Sequence, residues 1–192
     1  MPRRERGGMS RFHGWAPWEG VDREDTLEVR AGPGASFDVV AELEPLATGL
    51  VATGHHRRLD DELWSEVDAD GLVGWAETRF LLQLGAADDI TEELADDPDG
   101  LPRAGDMVAL AEEVGARRAS EEPPSRVAVI EEPEIGDLGS VTVDVVGLGD
   151  DALGGERLHV LAEKTDDGGF VVQSVRRLAL CSRGVTADGL CV

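Results

Sequence analysis

Residues 26–54 read TLEVRAGPGASFDVVAELEPLATGLVATG, and this stretch decides the fold of the first half of the chain. From Leu27 to Arg30 apolar and charged residues alternate, which is typical of a β-strand with one buried face. Gly32-Pro33-Gly34 then turns the chain sharply, because proline fixes its own φ and glycine accepts conformations that other residues avoid. Two further apolar segments follow, at residues 39–43 and 50–53, and each is short enough to be a strand.

A second stretch, LWSEVDADGLVGWAETRFL at residues 63–81, predicts a β-hairpin. Residues 63–67 alternate, residues 68–71 form a turn, and residues 72–76 return. The polar segment 55–61 is interpreted as a solvated loop. It contains His55 and His56, but two adjacent histidines do not form a metal site without further ligands nearby. Together these short strands predict a small barrel.

The two stretches resemble bacterial SH3 (SH3b) domains, which begin with an LNVRSGPG-like strand and turn and end with a W-x-x-V … G-x-x-G-W-V pattern. The resemblance covers about a third of the chain and implies an SH3-like β-barrel over residues 22–84. It also implies the binding of cell-wall peptides, glycans or protein ligands, and it does not imply catalysis. The matching residues are Leu27, Val29, Arg30, Gly32, Pro33, Gly34, Trp64, Val67, Gly71, Gly74, Trp75, Phe80 and Leu81.

Four aromatic residues of this region are the candidates for a ligand groove: Phe37, Trp64, Trp75 and Phe80. In an SH3-like barrel some aromatic side chains line a shallow groove and others fill the core. We expect Trp75 in the core, and leave Phe37 and Trp64 open between groove and core.

The rest of the chain predicts three further segments. Residues 1–21, which contain Trp15 and Trp18, are expected to be disordered or loosely docked. Residues 85–105 are rich in Asp, Gly, Pro and Ala and are interpreted as an acidic linker. Residues 106–192 predict an α+β unit, with one helix covering an antiparallel four-stranded sheet, and the whole protein is therefore expected to be mainly β.

The helix of the α+β unit is predicted from apolar residues at helical spacing, beginning at Met107 and reaching Val114. Asp106 is a suitable N-cap and Gly115 a suitable end. Four strands are predicted at residues 127–131, 141–146, 157–163 and 170–180. This unit loosely resembles cystatin-like helix-plus-sheet domains of actinobacterial envelope proteins.

Charge excludes several classes of partner. The formal net charge is -22, which repels nucleic acids and anionic lipid surfaces. No apolar stretch is long enough to predict a membrane span.

Asp68, Asp70, Gly71 and Glu77 have the spacing of an EF-hand loop, which would bind calcium. The segments on both sides alternate like strands rather than helices, so we predict a hairpin without a metal.

Cys181 and Cys191 lie close together in sequence and predict a disulfide rather than two buried thiols or a zinc site. A disulfide favours an oxidising, extracytoplasmic compartment such as the cell envelope. The basic start MPRRERGGMS is not followed by the apolar segment of a signal peptide, which leaves a cytoplasmic location open.

Three functional hypotheses follow. The first is a non-catalytic binding or adaptor protein of the bacterial cell envelope, with no cofactor and no catalytic residue. The second is a small hydrolase with its site in the α+β unit, which requires convergence of Asp144, Glu156, His159 or Glu163. The third is a structural protein that holds a basic partner through its acidic surface or a sheet edge. The oligomeric state is left open.

Overall fold

The structure is a computed structural model, and its described residues confirm a mainly β protein with eleven strands and two α-helices. The first of its two compact units contains the described residues up to Leu84 together with Ser182–Gly184, and the second contains Gly85–Cys181 and Val185–Val192. The predicted N-terminal segment 1–21 lies outside the described residues. The structure describes residues 26–44, 47, 50–122 and 124–192.

The first unit is built on one antiparallel sheet of five strands. These are β1 (Leu27–Arg30), β2 (Val39–Leu43), β3 (Leu50–Leu59), β4 (Glu62–Ala69) and β5 (Leu72–Glu77). They lie in the order β2-β1-β5-β4-β3. Strand alternation directs one apolar set into a common core, which contains Leu27, Val29, Leu50, Ala52, Val67, Ala76 and Leu81.

This sheet is open, which corrects the prediction of a closed barrel over residues 22–84. Closure needs hydrogen bonds between the two outer strands, here β2 and β3. In the described part of the chain β2 pairs with β1 alone, and β3 with β4 alone. β2 carries a bulge opposite Arg30, and the ladder of β3 is interrupted between Ala52 and His56. Neither outer strand therefore presents a regular edge to the other.

The predicted hairpin is confirmed, since β4 and β5 pair from Trp64↔Glu77 to Ala69↔Leu72. Asp70 and Gly71 form its turn, both with positive φ (53° and 88°), as a two-residue hairpin turn requires. The Gly71 N–H donates to a carboxylate oxygen of Asp68 at 2.7 Å. Both flanks are strands, so the EF-hand alternative, which needs helices, does not fit.

Gly74 allows β1 and β5 to approach closely. A Cβ at this position would lie 2.5 Å from Val29 Cγ1 and 2.9 Å from the Arg30 carbonyl oxygen. A side chain there would push β1 away from β5. The glycine of the hairpin motif therefore permits the pairing of the hairpin with the strand that precedes the Gly-Pro-Gly bend.

The second unit contains a six-stranded antiparallel sheet rather than the predicted four strands. The four predicted strands correspond to β8 (Arg126–Ile135), β9 (Leu138–Val146), β10 (Leu153–Lys164) and β11 (Phe170–Cys181). The additional strands are β6 (Gln83–Asp89), beside β11, and the two-residue β7 (Arg103–Ala104), also on β11. Neither has an apolar alternation, so the sequence pattern did not reveal them.

The segment 85–105, predicted as a linker, therefore forms part of the second unit. Between β6 and β7 it contains the short helix α1 (Thr91–Ala95). Ile90 and Leu94 are buried at 3% and 2% exposure in the core of this unit. In the sequence Ile90 and Leu94 lie among acidic residues, so no apolar pattern marks them as core residues.

The predicted helix is confirmed as α2 (Met107–Arg118), and Asp106 caps it by accepting a hydrogen bond from the Ala109 N–H at 2.9 Å. Its apolar side packs on the sheet. Gly115 does not end the helix, contrary to the prediction. A Cβ at Gly115 would lie 2.5 Å from Val127 Cγ1, so this glycine allows α2 to approach β8 closely.

The predicted disulfide between Cys181 and Cys191 is confirmed. It closes a C-terminal loop in which Val185 forms a β-bridge with Cys191. The loop is also fastened to β6, because the Ala86 N–H donates to the Gly189 carbonyl oxygen at 2.7 Å. The disulfide thus holds the end of the chain against the edge of the second sheet.

Candidate functional site

The two sequence motifs of the first unit meet in one cross-strand row. Arg30, which precedes the Gly-Pro-Gly bend, pairs with Trp75 of the hairpin. Val39 of β2 pairs with the other side of Arg30, and Glu66 of β4 pairs with the other side of Trp75. The row places an apolar, a cationic, an aromatic and an acidic residue side by side across four strands.

Arg30 stabilises the bend. Its Nη1 donates to the carbonyl oxygens of Ala35 and Phe37 at 2.9 and 2.7 Å. Its Nη2 donates to the Glu28 carboxylate. The guanidinium is only 16% exposed, and these bonds occupy several of its donors. Arg30 therefore acts as a positioning residue for the segment that carries Phe37.

Glu66, on the other side of Trp75, is held in its charged form. Thr53 Oγ1 donates to Glu66 Oε2 at 2.5 Å, and His55 Nδ1 lies 2.7 Å from the same oxygen. These two hydrogen bonds, that of Thr53 first, lower the pKa of the Glu66 carboxyl. Trp75 thus lies between a cation and a carboxylate.

The structure does not gather the four groove candidates into one groove. Trp64 is buried at 4% exposure, and its indole N–H donates to Glu62 Oε2 at 3.2 Å. Trp75 is half-buried rather than a core residue. Phe80 is half-buried, packs against the core and has the Arg79 guanidinium 4.6 Å from its ring centroid. Phe37 is 45% exposed.

Phe37 is one of five exposed apolar side chains that we together call the β2 patch. It consists of the large apolar side chains of the first unit with the highest exposure: Phe37, Val39, Val40, Leu72 and Val73, between 38% and 53%. The Val40 side chain lies beside Gly74, since a Cβ there would be 3.1 Å from Val40 Cγ2. The ring of Phe37 lies over Gly32, whose Cβ would be 2.5 Å from it.

The sequence contained a signal for this patch that our prediction missed. Val39-Val40 and Leu72-Val73 are adjacent apolar pairs on short strands. Successive side chains on a strand point to opposite faces, so one member of each pair must leave the core. We had predicted residues 39–43 only as a short apolar strand.

The two outer strands of this sheet differ in charge. Around β2 the exposed charged side chains include Asp38 and Glu42. β3 instead carries four exposed basic or titratable residues in succession: His55, His56, Arg57 and Arg58. These residues lie in a strand rather than in the predicted loop, and His56 Nδ1 lies 2.9 Å from Ser65 Oγ.

The residues required by the hydrolase hypothesis do not converge. On β10, Glu156 lies on the face covered by α2, while His159 and Glu163 lie on the opposite face. Arg118 of α2 donates to both carboxylate oxygens of Glu156, at 2.9 and 3.0 Å. Asp144 of β9 receives two bonds of 2.8 Å from Arg157.

His159 and Glu163 have separate partners. The His159 Nδ1 lies 3.3 Å from Thr142 Oγ1, and Glu163 accepts a hydrogen bond from the exposed Gln173 at 2.8 Å. Asp144, Glu156, His159 and Glu163 thus each bond to a different partner. They do not share a pocket in which acid–base chemistry could take place.

Within the described residues there is no group of three or more His, Cys, Asp or Glu side chains that could hold a metal ion. No helix in the same part of the chain is both long and apolar enough to cross a membrane. Comparison with protein-family models, curated proteins and solved structures finds no match to this chain.

Proposed function

We propose that this chain is a non-catalytic binding protein of the bacterial cell envelope, whose first unit is an SH3b-like domain that recognises a peptide or cell-wall ligand. The observation that carries the proposal is the β2 patch. Large apolar side chains that are exposed on one domain are a common property of binding sites.

The arrangement of the motifs supports the SH3b-like assignment. The strand before the Gly-Pro-Gly bend and the glycine–tryptophan hairpin are neighbours through Arg30 and Trp75. Gly74 makes this proximity sterically possible. The proposal does not depend on a closed barrel, because the patch lies on β2 and on β5, which both flank β1.

The disulfide supports the proposed location. Cys181 and Cys191 are joined, and disulfides persist mainly in oxidising compartments outside the cytoplasm. The ligand classes available in a bacterial envelope include cell-wall peptides, which are the ligands that the resemblance to SH3b domains implies.

The hydrolase alternative has less support, because Glu156 and Asp144 are each paired with an arginine and Glu163 lies on the face of β10 opposite that of Glu156. The third hypothesis, a partner-binding protein for a basic protein, is favoured by the acidic charge of -22. It differs from the first in its ligand and would give binding that weakens strongly with salt.

Co-sedimentation with purified bacterial cell walls tests the proposal. We expect the wild-type protein to sediment with the walls and the double variant Phe37→Ser/Val73→Ser to bind about tenfold more weakly. Both side chains are well exposed, so their replacement removes ligand contact with little effect on the core.

Val108→Ser is the matched control, since Val108 is 41% exposed on α2 of the second unit. We expect this variant to sediment like the wild type. If the Phe37→Ser/Val73→Ser protein binds as well as the control, the β2 patch is not the binding surface. If the wild-type protein stays in the supernatant, the cell-wall ligand is wrong.

A further inference from the structure

We infer that the second unit has a ligand site of its own, a cavity between β7 and the turn that joins β10 to β11. Its ligand is a short peptide with both ends free, whose carboxylate pairs with Arg103 and whose amine pairs with Asp167. The site belongs to the second unit, so this inference goes beyond the function proposed for the first.

The cavity lies where β7 joins the edge of the second sheet. β7 pairs with β11 through Ala104↔Phe170 and Arg103↔Val171, directly after the turn. The cavity is lined by residues 103–105 and by residues 165 and 167–170. Its volume is about 370 Å³, at the small end of the range of about 300–1,000 Å³ found for ligand pockets.

Backbone contacts fix the shape of this cavity. The Thr165 N–H donates to the Gly169 carbonyl oxygen, and the Gly168 N–H donates to the Thr165 carbonyl oxygen, both at 2.9 Å. Gly169 also lets β7 lie against the turn, because a Cβ there would be 2.7 Å from the Ala104 carbonyl oxygen. A site that is formed before its ligand arrives pays a smaller entropic cost on binding.

Asp167 supplies the negative charge of the site. Its carboxylate accepts a hydrogen bond from the Thr165 hydroxyl. This bond first, and then bonds from the backbone N–H groups of Gly169 and Asp167, lower the pKa of the Asp167 carboxyl. Asp167 is exposed, and a carboxylate has about four lone-pair sites, so it can also accept a hydrogen bond from a ligand amine.

Arg103 supplies the positive charge. Other arginines of this unit are paired with carboxylates, among them Arg118 and Arg157. Arg103 is exposed and forms no ion pair with any residue that the structure describes. A guanidinium of this kind can bind a carboxylate through two parallel N–H···O bonds.

The two opposite charges determine the class of ligand. A simple anion is attracted by Arg103 but repelled by Asp167 and by the net charge of -22. A simple cation is attracted by Asp167 but repelled by Arg103. A molecule with an amine and a carboxylate satisfies both groups, and Ala104 and Phe170 provide apolar surface for its aliphatic part. A dipeptide with both ends free has these properties.

Three dipeptides test the site by NMR titration of the full-length protein. The probes are alanyl-alanine, acetyl-alanyl-alanine, which lacks the charged amine, and alanyl-alanine amide, which lacks the carboxylate. We expect alanyl-alanine to shift the amides of residues 103–105 and 167–170 with a Kd of about 1–10 mM. Each blocked probe is expected to bind about fivefold more weakly, as the loss of one exposed ion pair predicts.

Charge variants have matched controls in the same unit. Arg103→Gln and Asp167→Asn are each expected to weaken the binding of alanyl-alanine about fivefold. The controls Arg176→Gln and Asp166→Asn remove the same charges from exposed residues that do not line the cavity. Both controls are expected to bind like the wild type.

Gly105→Leu fills the site and leaves both charged groups in place. Gly105 lines the cavity, and a Cβ there would meet no atom within 4 Å beyond its chain neighbours. The variant should therefore keep the wild-type spectrum elsewhere in the second unit and lose the response to alanyl-alanine.

Four results would overturn the inference. The first is that residues 103–105 and 167–170 do not respond to alanyl-alanine up to about 20 mM. The second is that the blocked probes bind as tightly as the free dipeptide. The others are that Gly105→Leu binds like the wild type, or that the control variants lose as much affinity as Arg103→Gln and Asp167→Asn.

Discussion

Replacing Asp144 by alanine is expected to lower the free energy of unfolding of the second unit by about 3–5 kcal/mol. Asp144 receives two hydrogen bonds of 2.8 Å from Arg157, and the two side chains are only 1% and 11% exposed. The truncation leaves a guanidinium buried without its carboxylate, which costs more than the pair itself contributes. Amide exchange in β9 and β10 measures the change in this unit directly.

The double variant Asp144→Leu/Arg157→Leu is the control for this prediction. It removes both charges together, and replacing a buried ion pair by apolar side chains is often nearly neutral. We expect it to recover most of the stability that Asp144→Ala loses. Equal exchange rates in Asp144→Ala and the wild type would contradict the importance of the buried pair.

Removing the disulfide with Cys181→Ser/Cys191→Ser is expected to lower the stability of the second unit by about 2–3 kcal/mol. The bond joins residues separated by 10 positions, and its loss restores conformational freedom to that loop in the unfolded chain. The contact of Gly189 with Ala86 should also loosen, so exchange at the amide of Ala86 should rise.

Urea unfolding of the oxidised, reduced and Cys181→Ser/Cys191→Ser proteins, followed by circular dichroism, measures this effect. The reduced protein and the serine variant should unfold at similar, lower urea concentrations. Alkylation of the native protein should occur only after reduction. If both cysteines react with the alkylating agent without reduction, the disulfide is absent in solution and the argument for an oxidising compartment fails.

Local sequence signals predicted the local parts of this fold. The hairpin of β4 and β5 followed from alternation around Asp70-Gly71, and α2 followed from Asp106 and its apolar spacing. β6 was missed because few apolar residues mark it, whereas a brief helix was predicted within residues 89–94, where α1 (Thr91–Ala95) lies. The open sheet was missed because closure depends on whether β2 and β3 pair, and no local pattern encodes a contact between distant strands.

The candidate site was predicted in part, for a related reason. Alternation places Trp64 and Trp75 on the strand faces opposite those of Val67 and Ala76, which are in the core. It does not determine what covers a face, so the sequence could not show that Trp64 is buried and Trp75 half-buried. The sequence identified Phe37 as a candidate, but not the exposed valines beside it.

The central claim is that the first unit binds a ligand on the surface formed by the β2 patch and Trp75. Its most direct test is an NMR titration of the full-length protein with soluble cell-wall peptide fragments, observing the tryptophan indole N–H signals and the amides of β2. We predict shifts for Trp75 and for residues 37–43, and little change for Trp64, whose indole is buried and bonded to Glu62. An unchanged spectrum of these residues up to about 1 mM fragment would contradict the claim.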